Sequence, residues 1–190
     1  MKISVVTGNK DKYSEISSVL REYGIESEQA GLETDEKGGS LEEIAQLKAR
    51  EAYSAIKKPL IVDDTGIFFT ACDNFPGHKA KRVFQELGFD GIMKTLEGKP
   101  RDAEFRTVMC YIDASEMKLF HGEMKGRITE NPGHDARKGL PYERIFVPQG
   151  KDKIVSCMAA DEKNRISHRA LAARKFAEWF MTNKQASQKE

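Results

Sequence analysis

Adjacent carboxylates at the exit of a short apolar run are the most chemical feature of this sequence: Leu60, Ile61 and Val62 lead directly into Asp63-Asp64-Thr65-Gly66. Neighbouring side chains on an extended strand point to opposite faces. The pair can therefore share a side only where the chain bends, and Gly66 permits a bend. One carboxylate could then hold a hard divalent cation while the other takes a proton from water. An Asp-rich turn that merely ends a buried strand carries the same pattern.

Donor side chains recur elsewhere in the chain. Thr7-Gly8-Asn9-Lys10-Asp11-Lys12 follows a β-branched run and opens a helical pattern, the arrangement in which helix N-terminal amides meet an anion. Asn9 can donate to an oxygen and Lys12 can reach the same anion, although an Asn-capped helix with a surface lysine looks identical. Neither a GxxxxGK[ST] loop nor a GxGxxG fingerprint occurs. Lys48 falls on the apolar stripe of Leu41, Ala45 and Ala52, where it must either snorkel out or meet an anion. Lys163, His168 and Arg169 crowd near the start of the last helical stretch, suiting a phosphate or a polar base edge, with solvated charges as the rival reading. Donors in three separate segments with a carboxylate pair between them are what a Mg²⁺-dependent enzyme acting on a polyphosphate requires.

The remaining composition narrows the setting. The chain has 190 residues, with 31 Lys+Arg against 30 Asp+Glu, so any cationic site is local and a nucleic-acid footprint is not expected. Hydrophobic and charged fractions of 39% and 32% are those of a globular domain rather than a disordered or fibrous chain. No apolar run approaches the roughly 18 residues of a membrane span, and the polar start is unlike a signal peptide, so a cytoplasmic protein is expected. Cys72, Cys110 and Cys157 are too scattered for a disulfide framework or zinc site and read as small buried hydrophobes.

Periodicity supplies the elements that must position these groups. Residues 2–7 read as a strand, and Tyr13, Ile16, Leu20 and Tyr23 as the face of a helix that Gly24 ends. Residues 25–30 suggest a second strand and 31–39 a polar loop. Ser40 with Glu43 forms a capping box for a helix carrying Leu41, Ile44, Ala45, Lys48, Ala52 and Ile56, which stops before Pro59. Residues 60–62 form a strand that the carboxylates end. Two short helices are expected over 78–96, interrupted at Gly88 and Gly91, and a hairpin over 105–113 and 117–127. A loop over 131–139, a strand over 145–147, one long helix over 161–181 and a frayed tail over 183–190 complete the chain. The alternation implies an α/β or α+β sheet of mixed direction, as two lobes of a single domain over 1–190 with strand-end loops meeting in a cleft.

TGNKDK, the acidic loop before SLEEIAQLKA, IVDDTGI, FPGHKAKR, GRI and DEKNRISHRAL stand in the order seen in the inosine triphosphate pyrophosphatase family, which this chain resembles from about Ile3 to Phe180. The resemblance implies a two-lobed α/β domain around a long mixed β-sheet, usually a homodimer. It implies Mg²⁺-dependent cleavage of ITP, XTP or dITP between the α and β phosphates, releasing monophosphate and pyrophosphate and so cleansing the nucleotide pool. Carried over by position, Thr7, Asn9, Lys12 and Lys48 would bind triphosphate. Glu36, with Glu33 and Glu43 as alternatives, would join Asp63 on Mg²⁺, Asp64 would activate water, and Thr65 would be among the substrate-binding residues. Lys81 or Arg82 would touch phosphate, while Lys163, His168 and Arg169 would hold base and triphosphate, His168 and Arg169 reading the purine six-position oxygen.

One stretch departs from the family. Where GFGYDPIF is usual, this chain has Gly139-Leu140-Pro141-Tyr142-Glu143-Arg144-Ile145-Phe146, so among the substrate-binding positions Leu140 replaces the stacking aromatic and Glu143 the base-edge aspartate, while Tyr142 is retained. Lys79 also replaces an aromatic. These changes fall on base recognition and leave the phosphate and metal residues in place. A related pyrophosphatase with another base preference, or a non-catalytic nucleotide-binding module, are the alternative readings.

Overall fold

The protein is described here by a computed structural model covering residues 2–32, 39–132 and 140–186. Its single sheet is built from β1 (Lys2–Val6), β2 (Glu26–Ala30), β3 (Leu60–Phe69), β4 (Phe75–Gly77), β5 (Asp102–Ile112), β6 (Met117–Ile128) and β7 (Phe146–Pro148). The strand order is β2-β1-β3-β5-β6-β7, with β4 on the far half of β3. β2, β1 and β3 run parallel, and every later pairing is antiparallel. Helices α1 (Lys10–Glu22), α2 (Leu41–Ile56), α3 (Ala80–Thr95), α4 (Ala160–Ile166) and α5 (His168–Ala186) complete this α/β domain. No helix among the described residues is long and apolar enough to cross a membrane. Cys72, Cys110 and Cys157 are free thiols, of which Cys110 is buried and Cys157 is exposed.

Local chemistry sets the helix starts. Asn9 Oδ1 accepts from the amides of Asp11 and Lys12 to cap α1, and Ser40 Oγ accepts from Glu43 N while Glu43 reaches back to Gly39 N at the head of α2. Lys57, at φ 52°, closes α2 in the left-handed region. α3 breaks at Gly88 (φ 60°), giving the two short helical pieces that the glycine spacing predicts. The hairpin of β5 and β6 pairs in unbroken register from Asp102–Arg127 to Ile112–Met117.

Two elements differ from the sequence reading. β3 does not stop at the carboxylates: Asp63 and Asp64 pair with Met109 and Val108, and the strand continues to Phe69. Oppositely charged side chains neutralise both aspartates inside the fold, so neither has to leave the sheet for water. Gly66 is not a bend but a point of close approach, since a Cβ there would lie 2.7 Å from the carbonyl oxygen of Gly77 on β4. The expected long last helix is two, because Ser167 is extended (φ −67°, ψ 145°) between α4 and α5. Its Oγ caps the second helix through Ala170 N, a start signal present in the sequence. α5 then continues past residue 181 to Ala186.

Alternation along β3 distributes its side chains between two cores. Ile61 packs with Ile3, Val5, Ile16, Val19, Met109, Tyr111 and Phe176 beneath α1 and α5. Leu60 and Val62 pack with Val6, Ala45, Ala49, Ala52 and Cys110 beneath α2. By the same parity Asp63 and Thr65 face α1 and α5, whereas Asp64 faces α2.

Candidate active site

Asp63 is the hub of the first face. Its Oδ2 accepts from Lys12 Nζ at 3.0 Å, Arg169 Nε at 3.2 Å and Thr65 Oγ1 at 3.3 Å. Burial alone would raise its pKa, but Lys12 and Arg169 outweigh burial and hold it well below the usual carboxylate value. Arg169 is itself 1% exposed and spans two carboxylates, its Nη1 reaching Glu15 Oε2 at 2.8 Å. Ser167 Oγ donates to Glu15 Oε1. Lys163 lies 3.5 Å from Glu15 and 2.7 Å from Glu143. Burial pushes Glu15 upward, yet Arg169 and Lys163 prevail and set it at about 2.

The second face carries a lysine–carboxylate pair. Lys48 Nζ lies 2.7 Å from Asp64 Oδ1, so the inward lysine does meet an anion, a carboxylate of the chain itself. Here burial outweighs the lysine, and the pKa of Asp64 is raised. Adjacent residues of one type thus shift in opposite directions, an arrangement that separates acid–base roles.

Beside the first face lies a cavity of about 300 Å³ whose wall includes Lys12, Glu15, Leu140, Glu143, Lys163 and Arg169. That is the lower end of small-molecule pockets. Asn9 caps the helix that carries Lys12 to this wall, and Thr7 Oγ1 accepts from Asn9 N at 3.2 Å. Thr65 pairs across the strands with Thr107, which in turn meets His168 Nδ1 at 2.6 Å. His168 is 2% exposed and stacks on Phe105 at 4.7 Å and 18°. Gly122 makes this possible: a Cβ there would collide with the His168 carbonyl, so only glycine lets the head of α5 settle on β6.

Most residues expected at the site therefore converge from distant segments. Among the described residues, Lys81 and Tyr142 do not join them. Lys81 is exposed on α3. Tyr142 is packed in the core against Phe69 and Phe84, its hydroxyl donating to Ala80 O at 3.1 Å. Glu36 and Glu33 lie outside the described residues, and Glu43 is spent on capping α2. Glu15, Thr107 and Ser167 join the network without having been expected. Glu15 carried a signal, since it stands one turn after Lys12 on a face otherwise apolar.

Residues 3–179 match the Ham1 family. The chain belongs to the Ham1 family. It is 41% identical over 186 residues to a dITP/XTP pyrophosphatase of Methanopyrus kandleri, spanning 96% of this chain and 98% of that one. A dITP/XTP pyrophosphatase of Saccharolobus solfataricus is 39% identical over 182 residues, or 95% and 94% of the two chains. The fold of a HAM1 protein from Coxiella burnetii superposes with a TM-score of 0.80 at 23% identity, covering 96% and 99%. Membership thus agrees with the order of motifs along the whole chain.

Among the described residues no three His, Cys, Asp or Glu side chains cluster as a ready metal cage. The donor chemistry nevertheless fits a hard divalent cation. Among the described side chains, Asp63 meets its partners through Oδ2 and Asp64 through Oδ1, which leaves one oxygen of each carboxylate for a further ligand.

Proposed function

We propose that this Ham1-family protein hydrolyses non-standard purine nucleoside triphosphates, ITP, dITP and XTP, to the monophosphate and pyrophosphate, and so cleanses the nucleotide pool. The observation that carries the reading is the split on β3: adjacent aspartates in opposite electrostatic states, ringed by cations from three segments beside a cavity. The names of the relatives supply the substrate class.

The residues divide the work. Lys12, Lys48, Lys163 and Arg169 are held in place by carboxylates, so phosphate oxygens meet cations whose positions are already fixed. The amides at the head of α1 and the Asn9 turn add neutral donors. Asp64 takes the proton of the attacking water at Oδ2, and its raised pKa suits a group that must accept a proton at neutral pH. Mg²⁺, which Asp63 together with Glu36 of the acidic loop would hold, supplies charge neutralisation on the phosphates. A near-neutral chain supports free nucleotide over nucleic acid as the partner, and the family resemblance extends the reading to a cytoplasmic homodimer.

The test is turnover of ITP, XTP, dITP, ATP, GTP and dUTP at equal concentration with and without Mg²⁺, scoring pyrophosphate apart from orthophosphate. Pyrophosphate from ITP and XTP, with little from ATP or GTP, is the expected result. Preference for another base would retain the chemistry and replace the substrate, and no turnover of any triphosphate would leave a nucleotide-binding module.

A further inference from the structure

Buried polar side chains in this protein are matched, with one exception. Among the described residues, Glu15, Glu143 and Arg169 are ion-paired in the cavity wall, as are Lys48, Asp63 and Asp64, while Ser4, Thr107, Ser167 and His168 are hydrogen-bonded. Asn164 is the exception. It is 8% exposed, and among the described residues neither its Nδ2 nor its Oδ1 has a hydrogen-bond partner, since the bond from Arg174 Nη1 at 2.8 Å ends on its backbone carbonyl.

Asn164 lies within α4 and lines the cavity of about 300 Å³ together with Lys12, Glu15, Glu143 and Lys163. The unpaired side-chain atoms that are sealed completely are Arg144 Nε and Ser156 Oγ. The Asn164 carboxamide is not one of them, so it keeps an accessible edge, and the space beside it is the cavity.

Fold stability gives no reason for an amide at this position. Asparagine is a weak helix former, and here it caps neither end of α4, whose flanking residues are Ala159 and Ser167. A buried donor and acceptor left unmatched are costlier than an apolar side chain of the same shape. That balance reverses when a ligand supplies the match.

We infer that Asn164 is a further substrate-binding residue, whose carboxamide meets an uncharged polar group of the nucleotide, either a sugar hydroxyl or the amide edge of the base. Its chemistry separates it from its neighbours. Lys12, Lys163 and Arg169 are cationic and donate only, as phosphate oxygens require. A carboxamide presents a donor and an acceptor in one plane, which suits groups that both give and take a hydrogen bond. The identity of the ligand rests on the proposed function, and the unmatched amide is independent of it.

Calorimetric titration of the whole protein with inosine monophosphate, ribose 5-phosphate and inorganic tripolyphosphate tests the inference without turnover. Asn164→Leu should weaken inosine monophosphate about five- to tenfold and leave tripolyphosphate unchanged. Its denaturant midpoint should be no lower than the parent's, because no partner inside the fold is lost. An equal loss for ribose 5-phosphate assigns the contact to the sugar, and an unchanged affinity assigns it to the base. Tripolyphosphate weakened as much as inosine monophosphate would make Asn164 a phosphate ligand and overturn the inference. Unchanged binding of inosine monophosphate would overturn it too, and a lowered midpoint would assign the amide to the fold. If leucine does not fit, Asn164→Ala adds no bulk and its binding is read in the same way. A parent protein that binds tripolyphosphate but no inosine monophosphate would remove the proposed substrate and this inference together, whereas equal binding by parent and variant would remove the inference alone.

Discussion

The two faces of β3 present the same residue type to different surroundings. Asp63, its side chain 1% exposed, meets two cations and a hydroxyl, and is held ionised below the usual range. Asp64, 9% exposed, meets Lys48, and its pKa is raised by burial. The number of charge partners, and not depth alone, decides which carboxylate becomes a fixed anchor and which stays able to take a proton. Asp63 serves as the post on which Lys12 and Arg169 are hung, and Asp64 remains chemically responsive.

Removing a cation from the anchored face should have the largest effect on stability. Arg169→Met strands Glu15 and Asp63 as buried carboxylates and should lower the unfolding free energy by about 3–5 kcal/mol, read from the denaturant midpoint. Acid acts on the same network more gradually. Glu15 has a folded-state pKa of about 2 against an ordinary 4.5, so its contribution is complete above pH 4.5 and is lost as pH falls toward 2. That contribution is about 3 kcal/mol, and Glu15→Gln should flatten the acid limb of the stability profile. On the responsive face, Lys48→Met should raise KM for ITP about tenfold through loss of one charged phosphate contact, while costing far less stability than Arg169→Met. Smallest is the change at the cavity wall: Leu140→Phe restores a ring face and should tighten purine binding by about 0.5–1.5 kcal/mol, seen as a lower KM without a change in kcat.

Much of this arrangement was legible in the chain. The Asn9 and Ser40 caps, the Gly88 interruption and the β5–β6 hairpin rest on local rules, and local rules describe them correctly. The placement of Lys48 on an apolar stripe left a choice between snorkelling and a buried anion, and Asp64 is that anion. β3 was read too short because Asp63-Asp64-Thr65-Gly66 has the composition of a turn, and the partners that keep it in the sheet come from 51, 106 and 16 residues away in the chain. Such pairings leave no local trace. Thr107 was invisible for the same reason: an ordinary strand threonine gains its role only from the register that sets it opposite Thr65. The direction of the Tyr142 ring has no local signature either, since a motif position does not say which way a ring turns, and here it packs in the core beside Phe69.

The most direct test of the division between the two aspartates compares Asp63→Asn and Asp64→Asn, measuring for each the unfolding free energy and the pyrophosphate released from ITP by the folded protein. Asp63→Asn should lose about 2–3 kcal/mol of stability, because Arg169 and Lys12 are left partly unmatched. Asp64→Asn should stay within about 1 kcal/mol of the parent, since burial already favours the neutral group, yet lose roughly 10²–10⁴-fold in kcat with ITP affinity largely kept. An Asp64→Asn protein that turned over ITP at the parental rate, or that unfolded as readily as Asp63→Asn, would contradict the account.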